Sequence, residues 1–419
     1  MSDNCYSRNY SRRDFLKKSA TTVAVGLAVP PWLAKMVWAD SVADNALGAS
    51  GAAGKRSLVV IQLTGGNDGL NTVVPYADMT YHRARPVLAH ADDKVLHLTD
   101  HVGLSPVMTG MKGLYDKGQL AIVQGVGYPN PNRSHFRSME IWQTAEPERI
   151  GSEGWVGRYL DAVRSGRTSP LTGINIGNET SEAFTSAHAA VPSIQGLANF
   201  GVVFPHGADG DAKAAALKRV QLGDSNTPYG RLFQQTAQET YDSADRISAG
   251  IKNYRSQVQY PRGAFGAGMQ EIAQLIAANL GTRVFYISTG SFDTHAGQIR
   301  RHDQLWQDVS DGLAAFQADL DGMGASDNVL TLAFSEFGRR VHENANGGTD
   351  HGTASEMFLL GKSVKGGLYG AYPSLTDLDQ GDLKYTTDFR AVYATVLDRW
   401  LGTNSEAVLG KRYEDLKFV

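Results

Sequence analysis

Three apolar runs that each stop abruptly in carboxylates constrain this chain more than any other feature. Residues 58–63 (LVVIQL) lead into Thr64-Gly65-Gly66-Asn67-Asp68-Gly69. Residues 283–288 (RVFYIS) lead into Thr289-Gly290-Ser291-Phe292-Asp293-Thr294-His295. Residues 329–334 (VLTLAF) lead into Ser335, Glu336 and Arg339, and a turn then delivers Thr349, Asp350 and His351. Short apolar runs of this kind read as buried strands of a sheet covered on both faces. In open α/β sheets, ligands bind in the crevice beyond the carboxyl ends of the strands. Carboxylates at three such ends, two of them with a histidine nearby, predict one site gathered from distant segments.

Further strands are expected at 120–124, 171–176 and 357–360, and helices at 108–117, 155–163, 268–280, 304–320 and 387–401. In the helix at 304–320, Leu305, Val309, Leu313, Phe316 and Leu320 recur at helical spacing and mark a core-facing stripe. Alternation of strand and helix is the pattern of a mainly parallel sheet, so the fold class is α/β, with helices on both faces. With 419 residues, 42% hydrophobic and 20% charged, the chain has ordinary globular composition and length for one large domain or two small ones. Between 187 and 264 the pattern loosens into Gly- and Asp-rich loops and helical stretches at 212–220 and 229–254, which read as an insertion or cap.

The amino terminus carries Ser11-Arg12-Arg13-Asp14-Phe15-Leu16-Lys17-Lys18, an apolar run at 20–33 broken by Pro30-Pro31, and Val37-Trp38-Ala39. That is a twin-arginine export signal over residues 1–39, followed by an Ala/Gly/Ser-rich tether at 40–56 and the main domain at 57–419. The apolar run is shorter than the roughly 20 residues that span a bilayer, so no integral span is expected in the mature chain. The twin-arginine translocase is the expected export partner, and the destination is the periplasm or the exterior.

Removing the signal takes away six basic and two acidic residues, which moves the formal charge from −3 to −7. An acidic mature chain without a Lys/Arg cluster argues against nucleic acid or an anionic membrane as main partners. Cys5, the sole cysteine, leaves with the signal, so disulfides and cysteine-ligated metals are excluded.

Asp, Glu and neutral His are the usual oxygen and nitrogen ligands of divalent ions, and Asp293, His295, Asp350 and His351 follow apolar strands among small residues. His82, His90, His97, His101, His188, His206, His302 and His342 lack that setting and read as surface or structural. After the strand at 120–124, the loop Tyr128-Pro129-Asn130-Pro131-Asn132-Arg133-Ser134-His135-Phe136 places Ser134 at the start of a helix through Met139 and Trp142. A hydroxyl there lies in the positive end of the helix dipole, either as a cap or as a group beside a bound anion. No acid pair at a recognisable spacing supports glycoside hydrolysis.

Six stretches in order, GGNDGLNTVVPY (65–76), NRSHF (132–136), FDTHAGQ (292–298), FSEFGR (334–339), GGTDHG (347–352) and TDFRAVYATVLDRWLG (387–402), resemble the exported bacterial proteins of domain of unknown function 1501. The likeness runs over nearly the whole mature chain. That family is grouped with the alkaline phosphatase superfamily of phosphatases, sulfatases and phosphate-sugar mutases. The resemblance implies an alkaline phosphatase-like α/β/α sandwich and one or two divalent ions (Zn, Mn, Mg or Ca). It also implies hydrolysis of a phosphate or sulfate ester, on a small molecule or polymer, by a metal-activated serine.

Carried over, Asp68 resembles the aspartate after the first strand, Ser134 the nucleophile, and Asp293, His295 and His351 the ligands of one ion. Glu336 stands where relatives have an aspartate, and Phe337 where they have a histidine. In a second register, Asp350 and His351 form that pair and Asp388 serves as the late ligand. Either register is one histidine short, so a binding or assembly protein with a degenerate site is the competing expectation. Arg133 and Arg339 are the candidates for neutralising ester oxygens, and His135 for a general acid.

Overall fold

The computed structural model describes residues 56–164, 169–197, 208–223, 227–252 and 254–419. The expected signal at 1–39, and the tether at 40–56 apart from Arg56, lie outside the described residues. No helix among the described residues is long and apolar enough to cross a membrane.

The core is a nine-stranded sheet. Its strands are β1 (Ser57–Leu63), β2 (Leu120–Gly127), β3 (Gly173–Ile176), β4 (Ser193–Ile194), β5 (Val284–Thr289), β6 (Val329–Ser335), β7 (Ser355–Leu360), β8 (Gly367–Tyr369) and β9 (Thr387–Asp388). The order across the sheet is β8-β2-β7-β6-β1-β5-β3-β4, with β9 also paired to β2. Only β7 runs antiparallel to its neighbours β2 and β6, so the sheet is mainly parallel.

The three strands that end in carboxylates lie side by side. In β1, Leu58 pairs with Val284 of β5 and Leu330 of β6, and Leu63 pairs with Thr289 and Ser335. Because these strands are parallel and in register, their polar ends leave the sheet at one level. That is the geometric reason residues more than 200 positions apart share a site.

Side chains of a strand alternate between faces, and β1 shows this directly. Leu58 and Val60 join a core with Trp142, Trp155, Tyr159, Phe389 and Trp400, whereas Val59, Ile61 and Leu63 join one with Met111, Met269, Trp306, Leu313 and Phe316. The first face is covered by helices that include α2 (His135–Thr144), α3 (Trp155–Ala162) and α8 (Phe389–Thr395). The second is covered by α1 (Thr109–Asp116), α6 (Ala264–Ala277) and α7 (Gln298–Gly322). The product is an α/β/α sandwich.

In the stretch expected to be an insertion or cap, β4 extends the sheet edge. Helices α4 (Ala208–Gln221) and α5 (Pro228–Ile251) follow it. The expected terminal helix at 387–401 differs in detail. Thr387 and Asp388 pair with β2, the α-helix covers Phe389–Thr395, and a π-helical turn at Val396–Leu401 ends it.

Candidate metal centre

Asp293 stands in the loop after β5, at the point where three histidines from separate segments converge on its carboxylate. His295 Nε2 lies 3.1 Å and His351 Nε2 3.2 Å from Asp293 Oδ1, and His135 Nε2 lies 3.6 Å from Asp293 Oδ2. The two imidazole nitrogens of His295 and His351 are 3.0 Å apart.

Each ring is held at its other nitrogen. His135 Nδ1 donates to Glu336 Oε1 at 2.8 Å, His351 Nδ1 to the Arg133 carbonyl at 2.9 Å, and His295 Nδ1 to Asp350 Oδ1 at 3.2 Å. An Nδ1–H donor leaves the neutral ring with its lone pair on Nε2. Three lone pairs and a carboxylate oxygen therefore face one another, which is unfavourable until a cation or proton lies between them.

The donor set fits a metal ion on three counts. The triangle of Asp293 Oδ1, His295 Nε2 and His351 Nε2 has edges of 3.0, 3.1 and 3.2 Å. Ligand atoms about 2.0 Å from one tetrahedral ion lie about 3.3 Å apart, so the edges are near those of a coordination face. His135 Nε2 is buried with no hydrogen-bond partner among the described residues, and one ligand atom from each of His135, Asp293 and His351 lies within 4.8 Å of the others. Partial burial also pushes the His351 imidazole below its ordinary pKa, which keeps it in the neutral form that ligates.

Behind this layer, Glu336 is fully buried and accepts from the Gly65 N–H at 2.8 Å as well as from His135. The sequence suggested it as a direct ligand. In the structure its carboxylate orients a histidine, a common arrangement behind a metal-bound imidazole. Asp350 holds the same relation to His295 while also accepting from Asn344 Nδ2 at 3.1 Å. Phe337, in place of the expected histidine, packs its ring 4.9 Å from both His135 and His351.

Arg339 is buried, and its guanidinium donates to Asp293 Oδ1 (2.7 Å), to the Gly66 carbonyl (2.6 Å), to the Thr349 carbonyl (2.8 Å) and to the carbonyls of Phe292 and Gly65. Burial disfavours ionisation of Asp293, but the Arg339 hydrogen bond and charge outweigh it and hold the carboxyl below its usual range. A fixed positive charge thus sits beside Asp293, built from backbone carbonyls of all three strand-end loops.

Asp68 does not join the cluster. Its side chain turns inward, where Arg85 Nη1 donates to both carboxylate oxygens at 2.9 and 2.7 Å and Gln298 Nε2 to one of them. Full burial raises its pKa, and the Arg85 ion pair, with help from His302 and Gln298, reverses the shift to below the ordinary value. Asp388 is likewise engaged elsewhere, with Arg390 Nη2 at 2.7 Å.

Ser134 is exposed at the start of α2, between two residues that touch the cluster, and its side chain makes no capping hydrogen bond. Its N–H donates to Asn132 Oδ1 at 2.8 Å. The Arg133 guanidinium pairs with Asp382 at 2.8 Å on the rim. Sequence reasoning missed Arg85, whose partners at 68, 340 and 341 carry no local signal. It also passed over Gln298, although that residue closes the quoted FDTHAGQ stretch.

Comparison with known proteins adds three findings. The family model described as "Protein of unknown function (DUF1501)" matches residues 55–413. No curated protein matches the chain. Among solved structures, a sulfatase from Pseudoalteromonas sp. is similar at 12% identity and a TM-score of 0.37, covering 86% of this chain and 70% of that one. A protein in the alkaline phosphatase superfamily from Vibrio parahaemolyticus is similar at 10% identity and a TM-score of 0.32, covering 75% and 62%. The C-terminal periplasmic domain of EcEptC from Escherichia coli, solved in complex with Zn, is similar at 9% identity and a TM-score of 0.34, covering 76% and 77%.

Proposed function

The chain belongs to the DUF1501 family, and we propose that it is an exported, metal-dependent hydrolase of a phosphate or sulfate ester, built on one divalent ion. The observation that carries this reading is the convergence of three imidazole Nε2 atoms on the Asp293 carboxylate beside the first turn of α2. Asp293, His295 and His351 would hold the ion. Three nitrogen and oxygen ligands with an open position is the pattern of catalytic rather than structural zinc sites, and imidazole donors favour a zinc-like ion over Mg or Ca. When bound, such an ion supplies a Lewis acid for an ester oxygen and makes a neighbouring hydroxyl easier to ionise.

The chain's own groups divide the remaining work. Ser134 is the nucleophile: it carries no cap bond, and the field of a ten-residue helix favours negative charge on its oxygen and on the substrate. Arg339, with its donors already committed, acts through its charge on Asp293 and takes the place of a second cation. Arg133 is left at the rim to meet a non-bridging oxygen. His135, which the Glu336 hydrogen bond biases toward the protonated form, holds a proton for the leaving oxygen.

One observation favours a second reading. If His135 Nε2 also turned onto the ion, four protein donors would close it, as in structural sites, and the protein would bind rather than hydrolyse.

Metal content per chain and turnover on a panel of phosphate and sulfate monoesters separate the two, for wild type, Ser134→Ala and Asp293→Ala. The hydrolase reading expects one ion in wild type and Ser134→Ala, none in Asp293→Ala, and a loss of turnover in Ser134→Ala of roughly a thousandfold. One ion per wild-type chain with no turnover on any ester rejects hydrolysis and leaves the closed site. Export is tested by Arg12→Lys with Arg13→Lys: undiminished export of that variant rejects the twin-arginine route.

A further inference from the structure

The loop between β2 and α2 carries two groups that the metal centre uses. The Arg133 carbonyl holds His351 Nδ1 at 2.9 Å, and Ser134 stands exposed beside it. Pro129 and Pro131 give this loop no N–H with which to fasten itself. It is fastened at Tyr128, a side chain 3% exposed whose phenol oxygen accepts the Asn132 N–H at 3.0 Å. Asn132 Oδ1 in turn accepts the Ser134 N–H at 2.8 Å.

On its other side the Tyr128 hydroxyl lies 3.0 Å from Ser138 Oγ. A serine hydroxyl has one proton, and Ser138 spends it on the Glu336 carbonyl at 2.5 Å, so Tyr128 is the donor to Ser138. Burial pushes the Tyr128 phenol above its ordinary pKa, which keeps that proton in place. The hydrogen bonds therefore run in one direction, from the Asn132 N–H through Tyr128 and Ser138 to the backbone of Glu336, whose side chain holds His135. Ser138 is fully buried, and the Tyr128 ring packs edge-on against Phe389 with centroids 5.8 Å apart, so this end of the chain of bonds is anchored in the core.

We propose that Tyr128 is a positioning residue: its hydroxyl fastens the 132–134 segment to the Glu336 backbone and so holds Ser134 and the His351 ring in fixed relation to Asp293. The proposal rests on the hydrolase reading for the effect on Ser134, whereas its hold on His351 is independent of turnover. Removing the hydroxyl leaves the Asn132 N–H and the Ser138 oxygen without their shared partner, while the ring keeps its packing. A displacement of about 1 Å at a reacting group can cost about 100-fold in rate.

The test compares wild type with Tyr128→Phe and Tyr393→Phe, all as the full chain. Tyr393→Phe is the control, because the Tyr393 hydroxyl is buried in the same core and donates to the Trp142 carbonyl at 3.1 Å, farther along α2. Zinc affinity is measured by competitive titration and stability by melting temperature. Where wild type hydrolyses an ester, kcat and KM follow at saturating zinc. Tyr128→Phe is expected to bind zinc about 10-fold more weakly and to lose kcat by about 10- to 100-fold with KM unchanged. Tyr393→Phe is expected to melt like Tyr128→Phe and to keep wild-type zinc affinity and kcat. Ser138→Ala cuts the same chain of bonds at its other end, is expected to repeat the losses, and replaces Tyr128→Phe if that variant does not fold. Wild-type zinc affinity or wild-type kcat in Tyr128→Phe overturns the proposal. Equal losses in Tyr393→Phe also overturn it, since they would then follow from core stability alone. If wild type turns over no ester, the hydrolase reading fails and zinc affinity alone decides: a loss confined to Tyr128→Phe and Ser138→Ala upholds the hold on His351, and no loss overturns it.

Discussion

His135 Nδ1 donates to the buried carboxylate of Glu336 at 2.8 Å, and this contact turns Nε2 toward Asp293. The same carboxylate oxygen accepts the Gly65 N–H, so Glu336 couples the loop after β1 to the first residue of α2. Glu336→Gln keeps an oxygen acceptor of the same shape and removes the charge. In the proposed site His135 holds a proton and is not a ligand, so competitive metal titration should show wild-type affinity in Glu336→Gln, with an unchanged circular dichroism spectrum and turnover lowered about 10-fold or more. A loss of metal affinity of about 10- to 100-fold, as is typical when the partner of a ligating histidine is changed, would instead place His135 on the ion, as in the closed site.

Ion binding to the native state alone should appear as stability. At an ion concentration 100 times its Kd, the gain is about 2.7 kcal/mol, or a rise in Tm of roughly 3–4 °C for a domain of this size. Chelator should remove that gain from wild type and leave His351→Ala unaffected. Equal melting of both proteins with and without chelator would argue against any bound ion.

Asp68 and Arg85 form a buried ion pair at 2.7 Å, and Arg85 also donates to the carbonyls of Arg340 and Val341 in the loop that leads to His351. Asp68→Asn leaves the guanidinium buried without its counter-charge, a change that costs roughly 3–5 kcal/mol. Denaturant titration should show a loss of that order, while metal content stays at one ion per chain. Because the folded-state pKa of Asp68 lies below 3.8, its contribution is full above that value and is lost as pH falls below it. Loss of the ion with stability intact would instead make Asp68 a ligand.

The gathering of strand ends was legible because it depends only on apolar runs and on parallel pairing, both of which act locally. Asp293, His295 and His351 follow from it. The roles of Glu336 and Asp68 were not legible. A carboxylate at a strand end meets an ion or a neighbouring side chain according to which partner reaches it first. His135 reaches Glu336 from 201 residues away in sequence, and Arg85 reaches Asp68 from the loop beyond the first turn. Phe337 marks the difference: with a ring in place of a histidine, the neighbouring Arg339 guanidinium supplies the positive charge there.

Glu356 gives the most direct test of the electrostatics beneath the site. It lies on β7 with its carboxyl against the Cα of Gly69, where an added Cβ would come within 2.3 Å of Oε2. Burial raises its pKa from 4.5 to about 8, and the Asp68 charge adds to the shift. Between those two values the native state holds a proton that the unfolded state has released, so stability falls as pH rises from 4.5 to 8 and levels off above 8. The whole loss is on the order of 4–5 kcal/mol. Glu356→Gln keeps the shape and removes the titration. Urea unfolding at pH 5 and pH 8 should therefore show the variant close to wild type at the lower pH and several kcal/mol more stable at the higher one. Parallel pH profiles for the two proteins would mean that Glu356 is ionised in the native state and that water or a cation reaches it beneath Asp68.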